Sequence, residues 1–153
     1  MKPSAIGVAV VLSVSLPAFS AEVPLGAPVV SGKNVVASDI AVWTENGKQK
    51  MARDEEAKKA PSNAQHFTIK FFTMGGSSMR ELHIPKGLHF APADGGPVDT
   101  LIYVQSGRVK VATGGREYEA VAGDTIHEAG ARPLAFDILE PSVFVEVSVP
   151  AAK

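Results

Sequence analysis

Four side chains in this 153-residue sequence can take up or release a proton near neutral pH: His66, His83, His89 and His127. An imidazole with an ordinary pKa of about 6.5 serves as general acid or base, typically contributing about 10²–10⁴-fold to a rate. His83, His89 and His127 are therefore the candidate catalytic residues. Side chains alternate along a strand, so odd-numbered positions from 83 to 95 share one face if the strand is unbroken. That alternation aims His83 and His89 at the same interior as Ala93 and Gly95. The turn Pro85-Lys86-Gly87 lies between them and can reset the parity. His127 and Glu128 are neighbours, so one of the two faces inward and the other does not. Three ligands drawn from His83, His89 and either His127 or Glu128 would meet the minimum for an open zinc or iron site. His66 begins a strand and reads as a surface or edge residue.

The remaining polar candidates carry weaker signals. Asp94 and Asp99 lie in "ADGGPVD", where Asp-Gly and Gly-Pro are turn chemistry first. Tyr103 stands three residues beyond Thr100 and so on the opposite face. Arg132 can clamp a carboxylate or phosphate.

These residues are carried by short β-rich runs from His66 onward: "HFTIKFFT", "MRELHI", "TLIYVQ", "RVKVAT", "REYEAVA", "DTIHE", "PLAFDIL" and "SVFVEVSV". Glycine, proline and aspartate turns separate them at regular spacing, which predicts an antiparallel sandwich or barrel. In the last run Val143, Val145, Val147 and Val149 share one face, and Ser142, Phe144, Glu146 and Ser148 the other.

The N-terminal part reads differently. Lys2, the apolar run Ala5 to Leu16, and Ala18-Phe19-Ser20 form a secretory signal over residues 1–20, cut before Ala21. The run is well short of the ~20 residues that span a bilayer, so stable membrane insertion is not expected. The expected location is periplasmic or extracellular. About 130 residues remain, one domain's worth. Residues 21–65 read as an extended arm and a short helix packing on the barrel. In that helix Asp54/Lys58 and Glu55/Lys59 have i,i+4 order and Pro61 ends it. The barrel itself is placed at 66–150. The sequence has no cysteine, which excludes disulfides and thiolate ligands. A formal charge of −1 provides no basic field for nucleic acid.

The order of glycines and strands from Met79 to Val149 resembles the cupin family, a small jelly-roll barrel. Counting from Gly87, the positions that hold two histidines and a glutamate in that family are Ala93, Gly95 and Thr100, and the closing glycine is Gly107. A second motif begins at Gly123-Asp124. With one residue removed, Glu128 stands at its proline, Gly130 at its glycine, Pro133 at its histidine and Asp137 at its asparagine. Without that shortening the histidine position falls on Leu134. The resemblance implies an all-β, single-domain cupin-like barrel whose usual metal ligands are replaced by side chains without donor atoms for a transition metal. No cofactor is therefore expected.

If the family's inward parity holds, Ala93, Gly95, Thr100, Ile102 and Val104 line the cavity, with Glu128 and Arg132 at the second motif. A mostly apolar lining with a few polar groups is how small-molecule pockets are built. The first expectation is thus a barrel that binds a small metabolite without the family metal. The alternative is a metal-independent isomerase, lyase or cyclase using a cavity histidine. A metalloenzyme with a rearranged histidine site is the lesser alternative. Members of that family often pair through their sheets, and the arm Glu22 to Lys33 could be a swapped strand, so a third alternative is a structural barrel that forms a homodimer, alone or alongside either function.

Overall fold

The computed structural model describes residues 21–22, 35–74, 77–92, 98–129 and 132–150. The expected signal segment, most of the arm, Ala93, Gly95 and Asp94 lie outside the described residues. Twelve strands follow in chain order: β1 (Ala21–Glu22), β2 (Ser38–Glu45), β3 (Lys48–Arg53), β4 (Gln65–Met74), β5 (Ser77–Ile84), β6 (His89–Phe90), β7 (Val98–Ser106), β8 (Arg108–Thr113), β9 (Arg116–Val121), β10 (Thr125–Glu128), β11 (Ala135–Ile138) and β12 (Ser142–Pro150). The large sheet runs β10-β7-β12-β5-β4-β2-β3, with β1 parallel to β4. The small sheet runs β6-β11-β8-β9. Their facing sides enclose one apolar core, including Phe67, Leu82, Phe90, Ile102, Val109 and Phe136. The architecture is an all-β jelly-roll barrel.

The strands form because their inward positions are apolar at period two. In β7, Thr100, Ile102 and Val104 are buried while Leu101, Tyr103 and Gln105 are exposed. Gly107 carries the chain from one sheet to the other at φ +89°, and an added Cβ would stand 2.5 Å from the Pro141 carbonyl oxygen. Both the backbone angle and the close approach demand glycine here. Gly123 extends the β7–β10 ladder: its N–H donates to Val104 O at 2.8 Å, and Val104 N–H donates to Asp124 O at 2.9 Å. The register of Glu128 follows from that turn.

The boundary expected at residue 66 is redrawn. The region 21–65 does not merely lie on the barrel, because β2 and β3 are members of the large sheet. Asn46-Gly47, at φ 51° and 73°, makes the two-residue hairpin between them. The charged segment is strand up to Arg53, and its helix is a single 3-10 turn, Ala57–Lys59. The ion pairs there are i,i+3, Lys58 with Glu55 and Lys59 with Glu56, because a 3-10 turn brings residues three apart into line. Ala57, buried, seats this turn on the barrel.

Candidate functional site

The inner face of the large sheet carries a band of polar residues across neighbouring strands. Antiparallel register sets Glu128 of β10 opposite Thr100 of β7, Thr100 opposite Ser148 of β12, Ser148 opposite Ser78 of β5, and Ser78 opposite Thr73 of β4. Directly opposed residues have Cβ atoms about 4.5–5.5 Å apart, so this is one continuous row. Thr100 Oγ1 and Ser148 Oγ share a hydrogen bond of 2.9 Å, and both residues are buried. The next row holds Ile126, Ile102, Glu146 and Arg80. Arg80 Nη2 lies 2.7 Å from Glu146 Oε2, with the two residues 8% and 3% exposed. That oxygen is close to the guanidinium yet outside directed hydrogen-bond geometry, so the contact is charge pairing.

Glu128 faces this pair. Burial pushes its carboxyl above the ordinary value of 4.5, and the Glu146 carboxylate pushes the same way; the Leu134 N–H and Arg80 act in the opposite direction but do not cancel the rise. Next to the polar rows the core leaves a space of about 10 Å³, lined by Leu82, Ile84, Phe90, Ile102, Phe136, Phe144 and Glu146. That is room for about one water.

Of the residues read as catalytic, the structure brings none into the cavity. In β5 the buried side chains are Arg80, Leu82 and Ile84, so His83 points outward, where its Nε2 donates to Glu81 Oε1 at 2.7 Å. In β6 Phe90 is buried, and His89 is exposed and 2.6 Å from Asp137 Oδ1. The cavity-facing placement of His83 and His89 is corrected. Strand β6 ends at Phe90, so alternation cannot be carried back from positions 93 and 95 to His89, nor across the Pro85 turn to His83. His127 is opposite the exposed Leu101 and faces outward, leaving Glu128 as the inward member of that pair. His66 is exposed, with Nδ1 2.9 Å from Asp39 Oδ2.

Thr100, Ile102 and Val104 face inward and are buried. Arg132 is exposed, and Tyr103 lies on the outer face at 45% exposure. Ala93 and Gly95 are outside the described residues. Arg80, Glu146, Ser148 and Ser78 were not among the sequence candidates. The signal for two of them was present in "SVFVEVSV", whose even positions alternate with valine, but valine is normally the buried partner in such a pattern.

A family-type metal does not fit this pocket. Where that ion would need a carboxylate the chain offers the Thr100 hydroxyl, and the nearby carboxylates are Glu128 and an already paired Glu146. Among the described residues no three of His, Asp or Glu come together to hold a metal, so the rearranged site of His83, His89 and either His127 or Glu128 is also corrected: the three histidines point outward from three separate strands, away from Glu128.

No protein-family model matches the chain, and no curated protein matches it significantly. Solved structures do. KdgF from a Halomonas species is 18% identical, with 56% of this chain and 82% of that chain covered and a TM-score of 0.52. An RmlC-like cupin from Shewanella frigidimarina is 14% identical, covering 57% and 78%, with a TM-score of 0.51. A cupin superfamily protein from Desulfitobacterium hafniense is 12% identical, covering 60% and 82%, with a TM-score of 0.52. The chain has the cupin fold.

Proposed function

We propose that this barrel binds a small polar metabolite on the row formed by Glu128, Thr100, Ser148 and Ser78, without the metal usual for its fold. The carrying observation is the row itself: opposed polar side chains running across the inner face beside the Arg80–Glu146 pair. Thr100 and Ser148 satisfy each other at 2.9 Å yet keep free lone pairs, and Glu128 is partly exposed, so the row can accept further hydrogen bonds from a ligand's polar atoms. A thermal-shift panel of sugars, uronic acids, aromatic acids and amines tests the reading. The expected result is stabilisation by one class, lost in Thr100→Val and Glu128→Gln. Stabilisation that survives both substitutions would place the ligand elsewhere.

A second reading, metal-independent proton transfer, is favoured by one observation. Glu128 is a partly buried acid on the inner face whose pKa burial raises, the direction that turns a carboxyl toward general acid–base work. In this reading Glu128 takes the role first given to a histidine, acting on a carbonyl-containing or sugar-like substrate as isomerase, lyase or cyclase. Loss of turnover in Glu128→Gln with retained binding supports it.

Two accompanying features complete the proposal. The outer face of β7, β12 and β5 exposes Leu101, Tyr103, Val147, Val149 and Met79, a contiguous apolar stripe of the kind that marks an association surface. A second copy of the chain covers it in this reading. Export through the segment at residues 1–20 is supported by Lys2, the apolar run and the small residues before Ala21, and is checked by N-terminal sequencing of the protein recovered from outside the cytoplasm. No helix among the described residues is long and apolar enough to cross a membrane.

A further inference from the structure

The charges of the inner face are unequal. Arg80 and Glu146 offset each other at 2.7 Å. Further along the same face Arg53 and Asp54 do likewise at 2.8 Å. Glu128, when ionised, has no cation of its own among these pairs. A guest with one positive charge brings the site to neutrality, whereas an anion meets two carboxylates and a guanidinium already engaged.

The hydrogen-bonding inventory points the same way. A primary ammonium has three donors and no acceptor. The row offers acceptors on the Glu128 carboxylate and on the Thr100 and Ser148 hydroxyls, whose mutual bond of 2.9 Å leaves lone pairs on both. Glu146, 3% exposed, lines the adjoining space, and its Oε2 makes no directed hydrogen bond.

We propose that the ligand of this barrel carries a primary ammonium group, held by Glu128, Thr100, Ser148 and Glu146. This rests on the binding reading above and narrows its ligand class. The probes are three molecules of similar size and different charge: n-butylamine, 1-butanol and butyrate. They are titrated at pH 7.5 into the mature protein while the amide signals of residues 98–104 and 142–150 are followed by NMR. Protonated butylamine is expected to bind at least tenfold tighter than 1-butanol, with butyrate weakest. Glu128→Gln is expected to remove most of that tenfold preference. Thr100→Val keeps both carboxylates and is expected to weaken butylamine severalfold; it serves as the second variant if Glu128→Gln does not fold.

Equal affinity for butylamine and 1-butanol overturns the ammonium assignment, as does a preference unchanged by both substitutions. Binding of a sugar or acid from the panel without any butylamine binding sinks the ammonium and leaves the polar row standing. No binding by amines or by the panel sinks both.

Discussion

Strand β12 has two faces that reverse the usual arrangement. Its inward side chains, Ser142, Phe144, Glu146 and Ser148, are buried, and three of the four are polar. Its outward side chains are all valine, with Val147 and Val149 exposed. The same contrast extends to its neighbours, where Thr100 and Arg80 are buried and Leu101, Tyr103 and Met79 exposed. Area-based burial predicts the opposite, because valine gains by leaving water and a carboxylate loses. A strand built this way is stable when its inner polar groups are paired and its outer apolar groups are covered. The inner face meets the first condition through Arg80–Glu146 and Thr100–Ser148. The outer face meets the second only if something binds there.

The largest expected effect comes from breaking the inner pair. Arg80→Ala leaves Glu146 buried without its cation and should cost about 3–5 kcal/mol in urea unfolding. Replacing both with apolar residues of similar volume, Arg80→Met with Glu146→Leu, should recover most of that loss. If the single and double variants are equally unstable, the pair is not what balances the inner face.

The outer face is tested by Leu101→Glu with Val147→Glu. Both positions are exposed in the single chain, so stability of the isolated barrel should change by about 0.5 kcal/mol or less each. Light scattering should nonetheless report a dimer for the native chain and a monomer for the variant. A native chain that is monomeric at high concentration removes the proposed covering.

Glu128 tests whether the inner polar face is tuned or merely tolerated. Its folded pKa lies above the unfolded value of 4.5, so the folded state binds the proton more tightly. Its contribution is complete below pH 4.5 and declines as pH rises through the folded pKa. Glu128→Gln, which resembles the protonated form, should therefore melt higher than the native chain at pH 8, and the difference should vanish below pH 4.5. A pH-independent difference would mean that Glu128 is ordinary in its surroundings.

The smallest effects belong to the histidines. His83→Ala and His89→Ala each remove an exposed pairing, with Glu81 and Asp137 respectively, worth less than about 1 kcal/mol. Ligand-induced stabilisation should be unchanged in both. Loss of binding in either would restore a role for the outer surface.

Much of the barrel was legible because period two and turn residues are local. The eight runs from His66 to Val149 all contain strands at the expected places, and Gly107 and Gly123 mark required turns. Strands β2 and β3 were legible but missed. "TENGKQ" carries the Asn-Gly hairpin signal, and the charged lysines of β3 obscured it. The site was less readable. Alternation decides the relative facing of His127 and Glu128 but not which of them is inward, and it fails across Pro85-Lys86-Gly87 and after Phe90.

By itself the sequence determined a cysteine-free, antiparallel all-β barrel or sandwich, since residue type and spacing are local; the jelly roll and the alanine, glycine and threonine at the ligand positions are what its resemblance to the cupin family implies. Only the tertiary structure decided that the valines of β12 face out, that the histidines leave the cavity, and that Glu128, Thr100, Ser148 and Ser78 lie in one row. Those facts depend on which strands are neighbours and in what register. Pairing between residues 48 positions apart, as in Thr100 and Ser148, has no trace in local pattern.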